Sequence, residues 1–216
     1  MRADNSVRSF IEFLFDRPVP YEWPGERDAY PREPEQIALL IAEMFENSGW
    51  LLERFSDAQL DQGLWFVVSG DGSGFMFSLV EEKVPLAVRV RALRSFVPLF
   101  EQVMALRCSH VLCHLDEPGA KPLNDVCYMW WDILPIHGRP DLPERRAFDA
   151  EVLLVLARLL AIPHDACRES ALHGIGHWCI YYPELGRVVD DFLARTPDLR
   201  PELVAYAERA RDGCVL

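Results

Sequence analysis

The feature of this sequence that most constrains the fold is helical periodicity along almost the whole chain. Apolar residues recur at three- and four-residue spacing, which places them on one face of an α-helix. Prolines at first-turn positions and serine, asparagine or aspartate at candidate caps mark many of the boundaries. We therefore expect an all-α fold. The periodic segments lie near residues 5–16, 35–54, 57–69, 85–114, 123–134, 143–162, 165–181, 184–195 and 201–211.

Two stretches depart from this pattern. Residues 64–80 contain two apolar runs around the glycine-rich sequence GDGSG, for which we favour a helix, a turn and a short second helix over the alternative of a β-hairpin. Residues 18–34 hold five of the sixteen prolines together with Tyr21, Trp23 and Tyr30. Because proline ends helices, we expect this segment to be an extended loop that caps the first helices or, alternatively, acts as a contact arm.

Length and composition predict a single soluble domain over residues 1–216. Half of the residues are apolar and the mean hydropathy is −0.01. The apolar run 152–163 contains Arg158 and is too short to cross a bilayer, and the N-terminus lacks a signal-peptide pattern. We expect a cytoplasmic protein with no membrane contact, in which the six cysteines are free thiols.

The net charge of −12 disfavours nucleic acid as a partner, because phosphate contacts need clustered lysine and arginine. The acidic excess is strongest in residues 1–80, which hold 14 acidic and 6 basic side chains. This asymmetry indicates either simple solubility or an acidic surface that meets a basic protein.

Three of the predicted helices contain similar short sequences near their N-termini, which together form a degenerate repeat. Residues 88–93 (VRVRAL) align with 167–172 (CRESAL) at an offset of 79, and 126–131 (VCYMWW) lie between them. Residues 165–176 (DACRESALHGIG) resemble the second-helix consensus of HEAT-like repeats, and 85–93 resemble it less closely. The resemblance covers residues 85–211 and implies a HEAT-like α-solenoid of roughly four stacked helix pairs. Such a fold usually binds a partner protein on its concave face, and the resemblance implies no catalytic residues.

The sequence CRESALHGIGHW at 167–178 concentrates the polar groups of interest. At about 100° per residue, Glu169, His173 and His177 share one helix face. We expect the opposite, apolar arc to be buried and Gly174 to allow a close approach of a neighbouring helix. The polar stripe is predicted to stay unburied as a candidate partner-binding surface.

Two His-x-x-x-His pairs, His110/His114 and His173/His177, raise the alternative of a metal-dependent hydrolase. If both pairs lie on helices that meet, four imidazoles could hold one ion. However, Gly174 stands where the zinc-protease pattern requires glutamate, and where HD-type phosphohydrolases have aspartate. The sequence also lacks a G-x-S-x-G elbow and a phosphate-binding loop. We therefore expect no catalysis and no cofactor.

The aromatic run at 128–132 (YMWWD) is a second candidate contact region. Successive helix residues cannot all face one core, so one of Trp130 and Trp131 is predicted to lie at a surface with Asp132. The alternative is a helix that is buried on two sides.

These observations favour a non-catalytic protein–protein interaction module. The most specific hypothesis is an acidic bacterial immunity-type protein that binds and neutralises a basic toxin domain. The alternatives are the metal-dependent hydrolase and a regulatory scaffold in a larger assembly.

Overall fold

A computed structural model describes residues 3–23 and 33–215, and within these ranges the regular structure is entirely helical. The longer helices begin and end within a few residues of the predicted segments, except at 35–54, where the long helix ends at Glu46 and a short one follows, and at 85–114. The α-helices are α1 (Ala3–Phe15), α2 (Pro34–Glu46), α3 (Ser48–Leu51), α4 (Asp57–Val68), α5 (Leu86–Arg94), α6 (Phe96–Leu99), α7 (Ala105–Arg107), α8 (Leu123–Ile133), α9 (Arg146–Leu160), α10 (Asp165–Cys179), α11 (Leu185–Arg195) and α12 (Pro201–Arg211).

The longer helices pack against each other in two rows. In one row, α1 contacts α4, α4 contacts α8, and α8 contacts α10. In the other, α2 contacts α5, α5 contacts α9, and α9 contacts α11. Helix α12 packs against both α10 and α11. Each helix therefore buries its apolar face against the next helix of its row and not against its sequence neighbour alone.

Helix boundaries follow local capping chemistry. At the start of α4, the Ser56 hydroxyl accepts a hydrogen bond from the Gln59 amide, and the Gln59 side chain accepts one from the Ser56 amide. Pro34 and Pro201 occupy the first turns of α2 and α12, where a missing N–H costs nothing. These ends were readable from the sequence because the signal is local.

The stretch 64–80 is helical, as favoured over the hairpin. Helix α4 ends at Val68, and a 3-10 turn spans Phe75–Leu79. Gly74 between them has a φ of 68°, a left-handed conformation that glycine adopts without strain.

The segment 85–114 is not the single helix that the periodicity predicts. It divides into α5, α6, a π-helical turn at Phe100–Met104, and α7, which ends at Arg107. Pro98 lacks an amide hydrogen and its ring would clash with the carbonyl of Arg94, so a regular helix cannot run through this point. Residues 108–112 are irregular, and a 3-10 turn covers Cys113–Leu115.

The prediction that one of the two tryptophans of α8 lies at the surface is wrong. Trp130 and Trp131 are both buried. Trp130 packs among Phe45, Phe96 and Phe100, with ring centroids 5.3–6.0 Å apart. The alternative interpretation, in which α8 is buried on two sides, is confirmed, because α4 and α10 both pack against this helix.

The described part of the proline-rich segment packs against α1 and α4. The Trp23 ring stacks on Phe66 with a centroid separation of 3.8 Å, and the Tyr21 amide donates to Gln62. This arrangement agrees with the predicted capping of the first helices. Residues 24–32 of the predicted loop lie outside the described residues.

The cysteines are free thiols, and Cys108, Cys127, Cys167 and Cys179 are buried. Among the described residues, no helix combines the length and apolar character that crossing a bilayer requires.

Candidate functional site

Helix α10 lies between α8, α9 and α12 and is buried on nearly all sides. Its apolar arc is buried as predicted. The prediction that the polar stripe stays unburied is wrong, since Glu169 is 0 % and His173 is 5 % exposed. The physical reason is that α12 packs against α10 and that Cys113 and His114 cover Glu169, so the face that a periodicity argument assigns to solvent is enclosed.

Gly174 provides the predicted close approach between α10 and its neighbours. A Cβ atom at this position would lie 2.6 Å from both Leu156 Cδ2 and Trp131 Cγ. Any side chain here would push α8 and α9 away from α10, so glycine sets the separation of these helices.

The buried Glu169 carboxylate binds the backbone of the 3-10 turn at Cys113–Leu115. It accepts hydrogen bonds from the Cys113 amide at 3.0 Å and from the His114 amide at 3.0 Å. The His114 Nδ1 atom lies 2.6 Å from the same carboxylate. Burial raises the pKa of Glu169, and these three hydrogen bonds act in the opposite direction. Glu169 is therefore an internal anchor and not a surface contact.

His173 belongs to a buried polar chain between α10, α12 and α8. Its Nδ1 atom lies 2.7 Å from the Tyr206 hydroxyl, and its ring packs edge-on against the Tyr128 ring at a centroid separation of 4.7 Å. The Tyr206 ring stacks on His114 at a centroid separation of 4.1 Å. Burial, reinforced by the nearby His177, lowers the pKa of His173 to about 4, so this imidazole is neutral at pH 7.

The last turns of α8 and α10 bring Asp132, His173 and His177 together. The Nε2 atoms of His173 and His177 are 3.0 Å apart, and His177 Nε2 lies 3.3 Å from Asp132 Oδ1. One ligand-type atom from each residue lies within 4.8 Å of the other two. The side chains of His177 and Asp132 are 33 % and 42 % exposed, so the cluster reaches from the core to solvent.

The predicted four-histidine set does not form. His110 is exposed, and its ring lies 3.9 Å from that of His164, near Asp165 at the start of α10. His114 pairs with Glu169 instead. Among the described residues, the ligand cluster contains His173 and His177 but neither His110 nor His114. The reason is that residues 108–112 are not helical, so a four-residue spacing does not align these two side chains.

The structure also places an exposed tryptophan that the sequence reasoning missed. Trp50 in α3 is 60 % exposed, and it lines a surface hollow of about 180 Å³. A second large apolar side chain, Leu106 on α7, is 73 % exposed. The hollow is lined by Arg8, Ile11, Glu12, Trp50, Leu51 and Arg54.

A sequence signal for Trp50 was available. On a helical wheel at about 100° per residue, Trp50 falls opposite Ile41, which is fully buried. A large aromatic residue on the polar side of an amphipathic segment is a candidate contact residue. The contributions of Tyr206 and Asp132 to the α10 cluster carried no such signal, because they come from other helices.

Comparisons with protein-family models, with curated proteins and with solved structures give no match to this chain.

Proposed function

We propose that this protein is a non-catalytic module that binds another protein, and that its partner is a basic domain. The observation that carries the proposal is the exposure of Trp50 within the acidic third of the chain. Tryptophan is enriched among the residues that dominate binding energy at protein interfaces. Residues 1–80, which contain Trp50, hold 14 acidic and 6 basic side chains, and this excess in the sequence favours a partner of opposite charge.

The arrangement of the helices supports the finer part of the proposal, a HEAT-like α-solenoid of about four helix pairs. Across the two rows, α1 contacts α2 and α10 contacts both α9 and α11, with α12 covering the last helices of the rows. In a solenoid, each pair contacts mainly its neighbours and the stack offers an extended surface. Sequential contacts along both rows are what this architecture requires.

The most specific form of the proposal is an immunity-type protein that neutralises a toxin domain in the cytoplasm. An acidic protein captures a basic target quickly, because long-range attraction raises the association rate. Of the predicted contact residues, Asp132 and His177 keep partial exposure and stay candidates. Glu169, His173, Trp130 and Trp131 are buried, and they support the surface from within.

The test is affinity capture from the source cell with the wild-type protein and the Trp50→Ala variant. We expect a basic protein to bind the wild type and to be lost from Trp50→Ala, since an interface hot spot is worth about 2 kcal/mol or more. Ile180→Ala is the matched control, because Ile180 is 68 % exposed on the opposite end of the chain.

Two further measurements decide between the forms of the proposal. Affinity that does not weaken as salt rises would exclude the acidic-surface mechanism. A captured protein that stops growth when expressed alone, and is harmless when co-expressed with this protein, supports the immunity function. A harmless partner would identify a regulatory scaffold instead.

A further inference from the structure

We propose that Asp132, His173 and His177 bind one divalent transition-metal ion, with zinc the best match to this ligand set. This inference goes beyond the proposed protein-binding function and does not depend on it. Two imidazoles and one carboxylate are ligands that zinc accepts in proteins. The set shares two residues with the predicted four-histidine site, and Asp132 takes the place of His110 and His114.

The separations between the ligand atoms fit one shared ion. Zinc–nitrogen and zinc–oxygen bonds of about 2.0–2.1 Å in a tetrahedral site place neighbouring ligand atoms roughly 3.3 Å apart. The observed distances from His177 Nε2 are 3.0 Å to His173 Nε2 and 3.3 Å to Asp132 Oδ1. Small side-chain adjustments therefore suffice to seat the ion.

Hydrogen bonding alone satisfies this cluster poorly. His177 Nε2 faces both a second imidazole nitrogen and a carboxylate oxygen, and it can carry only one proton. If His173 carries a proton on Nε2 and donates it to His177, then His177 Nε2 has no proton to donate to the Asp132 carboxylate, and two acceptors face each other. If His177 carries the proton, it must divide it between two acceptors. A cation accepts electron density from all three atoms at once.

The buried surroundings of His173 prepare it as a ligand. In the tautomer that carries its proton on Nδ1, His173 donates to the Tyr206 hydroxyl oxygen 2.7 Å away. The lone pair of His173 then lies on Nε2, facing His177. A hydrogen bond to the second ring nitrogen is the arrangement that orients most metal-binding histidines.

The local field favours a cation. Asp132 lies in the last turn of α8, and His177 lies in the last turn of α10. Helix C-termini carry partial negative charge, so a carboxylate there is locally unfavourable and a bound cation offsets both charges. The partial exposure of Asp132 and His177 leaves the fourth coordination position open to water.

The experiment uses the full chain, freed of any affinity tag and stripped with a chelator. Cobalt(II) is titrated in and followed by visible absorption, and zinc chloride is tested by thermal unfolding. We expect tetrahedral-type cobalt bands that saturate at one equivalent, and a zinc-dependent rise in Tm of several degrees. Wild-type protein that gives neither signal would overturn the proposal.

Variants locate the site. His177→Ala and Asp132→Asn alter partly exposed side chains, and circular dichroism of the metal-free proteins checks that both fold. We expect each to weaken metal affinity by more than about 100-fold, because even groups that only support a ligand are worth about 10–100-fold. His110→Ala, at an exposed imidazole outside the cluster, should bind as the wild type does. Equal binding by His177→Ala would place the ion elsewhere and refute the assignment.

Discussion

The two His-x-x-x-His pairs have the same spacing in sequence but different surroundings in the structure. His173 and His177 lie on α10, and their Nε2 atoms meet at 3.0 Å. His110 and His114 lie in an irregular segment, where His110 stacks on His164 and His114 pairs with Glu169. A four-residue spacing brings two side chains together only when the backbone between them is helical.

The side chains that contact His114 also differ from those that contact the His173/His177 pair. His114 is fixed by a carboxylate that accepts three hydrogen bonds and is fully enclosed. The His173/His177 pair has a partly exposed carboxylate, Asp132, and a gap in its hydrogen bonding. The contacts of His114 are complete as a structural anchor, whereas the His173/His177 pair can accept a further ligand.

The largest expected effect comes from breaking the His114 anchor with Glu169→Gln. Glutamine offers one oxygen where the carboxylate offers two, and its amide group would face donors. We expect the free energy of unfolding to fall by about 3 kcal/mol, because a buried hydrogen-bonding group that loses its partner costs about 1–3 kcal/mol. Urea unfolding monitored by tryptophan fluorescence measures this change.

Asp191→Asn is the control for this variant. Asp191 forms an exposed pair with Arg195 at 3.5 Å on α11, and its loss should cost less than about 0.5 kcal/mol. If Glu169→Gln costs as little, the Glu169 anchor contributes only geometry and not stability.

A smaller effect is expected from Gly174→Ala, which acts between His173 and His177. The added methyl group would overlap Trp131 and Leu156, and such overpacking costs about 1–3 kcal/mol. After the gain of about 1 kcal/mol in helix propensity, we expect a net loss of up to about 2 kcal/mol. Displacement of α8 should also separate Asp132 from His177 and weaken cobalt binding.

Gly186→Ala provides the matched comparison. A Cβ atom at Gly186 would lie 3.4 Å from Arg211 Cγ, an ordinary contact, so this variant should be neutral or slightly stabilising. Equal effects of the two substitutions in thermal unfolding would show that the packing at Gly174 is not the constraint.

The smallest effect has the opposite sign, because the substitution is expected to stabilise the protein. The pH dependence of this gain identifies a carboxylate as its source. Among the described residues, Asp61 Oδ1 is buried without a hydrogen-bond partner. Burial, followed by the charge of Asp125, raises the pKa of Asp61 from 3.8 to about 6. The stability that its proton provides is present below pH 3.8 and is lost as pH rises through about 6.

We therefore expect Asp61→Asn to raise the free energy of unfolding at pH 7 by about 1 kcal/mol, a value reduced for partial solvent screening. The gain should disappear near pH 4. Denaturant unfolding across this range measures it, and Asp198→Asn, at an exposed position, should leave the profile unchanged. A gain that is the same at every pH would rule out titration of Asp61 as its cause.

Local signals explain what could be read from the chain before its structure. The starts of α4, after its cap Ser56, and of α2 and α12, at Pro34 and Pro201, were predictable because capping and proline chemistry involve only adjacent residues. Periodicity also identified the buried arc of α10 and the close approach at Gly174. The same reasoning failed at 85–114, where the effect of Pro98 outweighed a continuous apolar pattern.

The sequence by itself determined the all-helical architecture, most of the helix boundaries and the glycine contact on α10, because these depend on neighbours within about one helical turn. Only the tertiary structure decided that Glu169 and His173 are buried and that Asp132 joins His173 and His177. These properties depend on which distant helix covers each face, and the placement of α12 over α10 and of α8 beside it is set by packing across the whole domain.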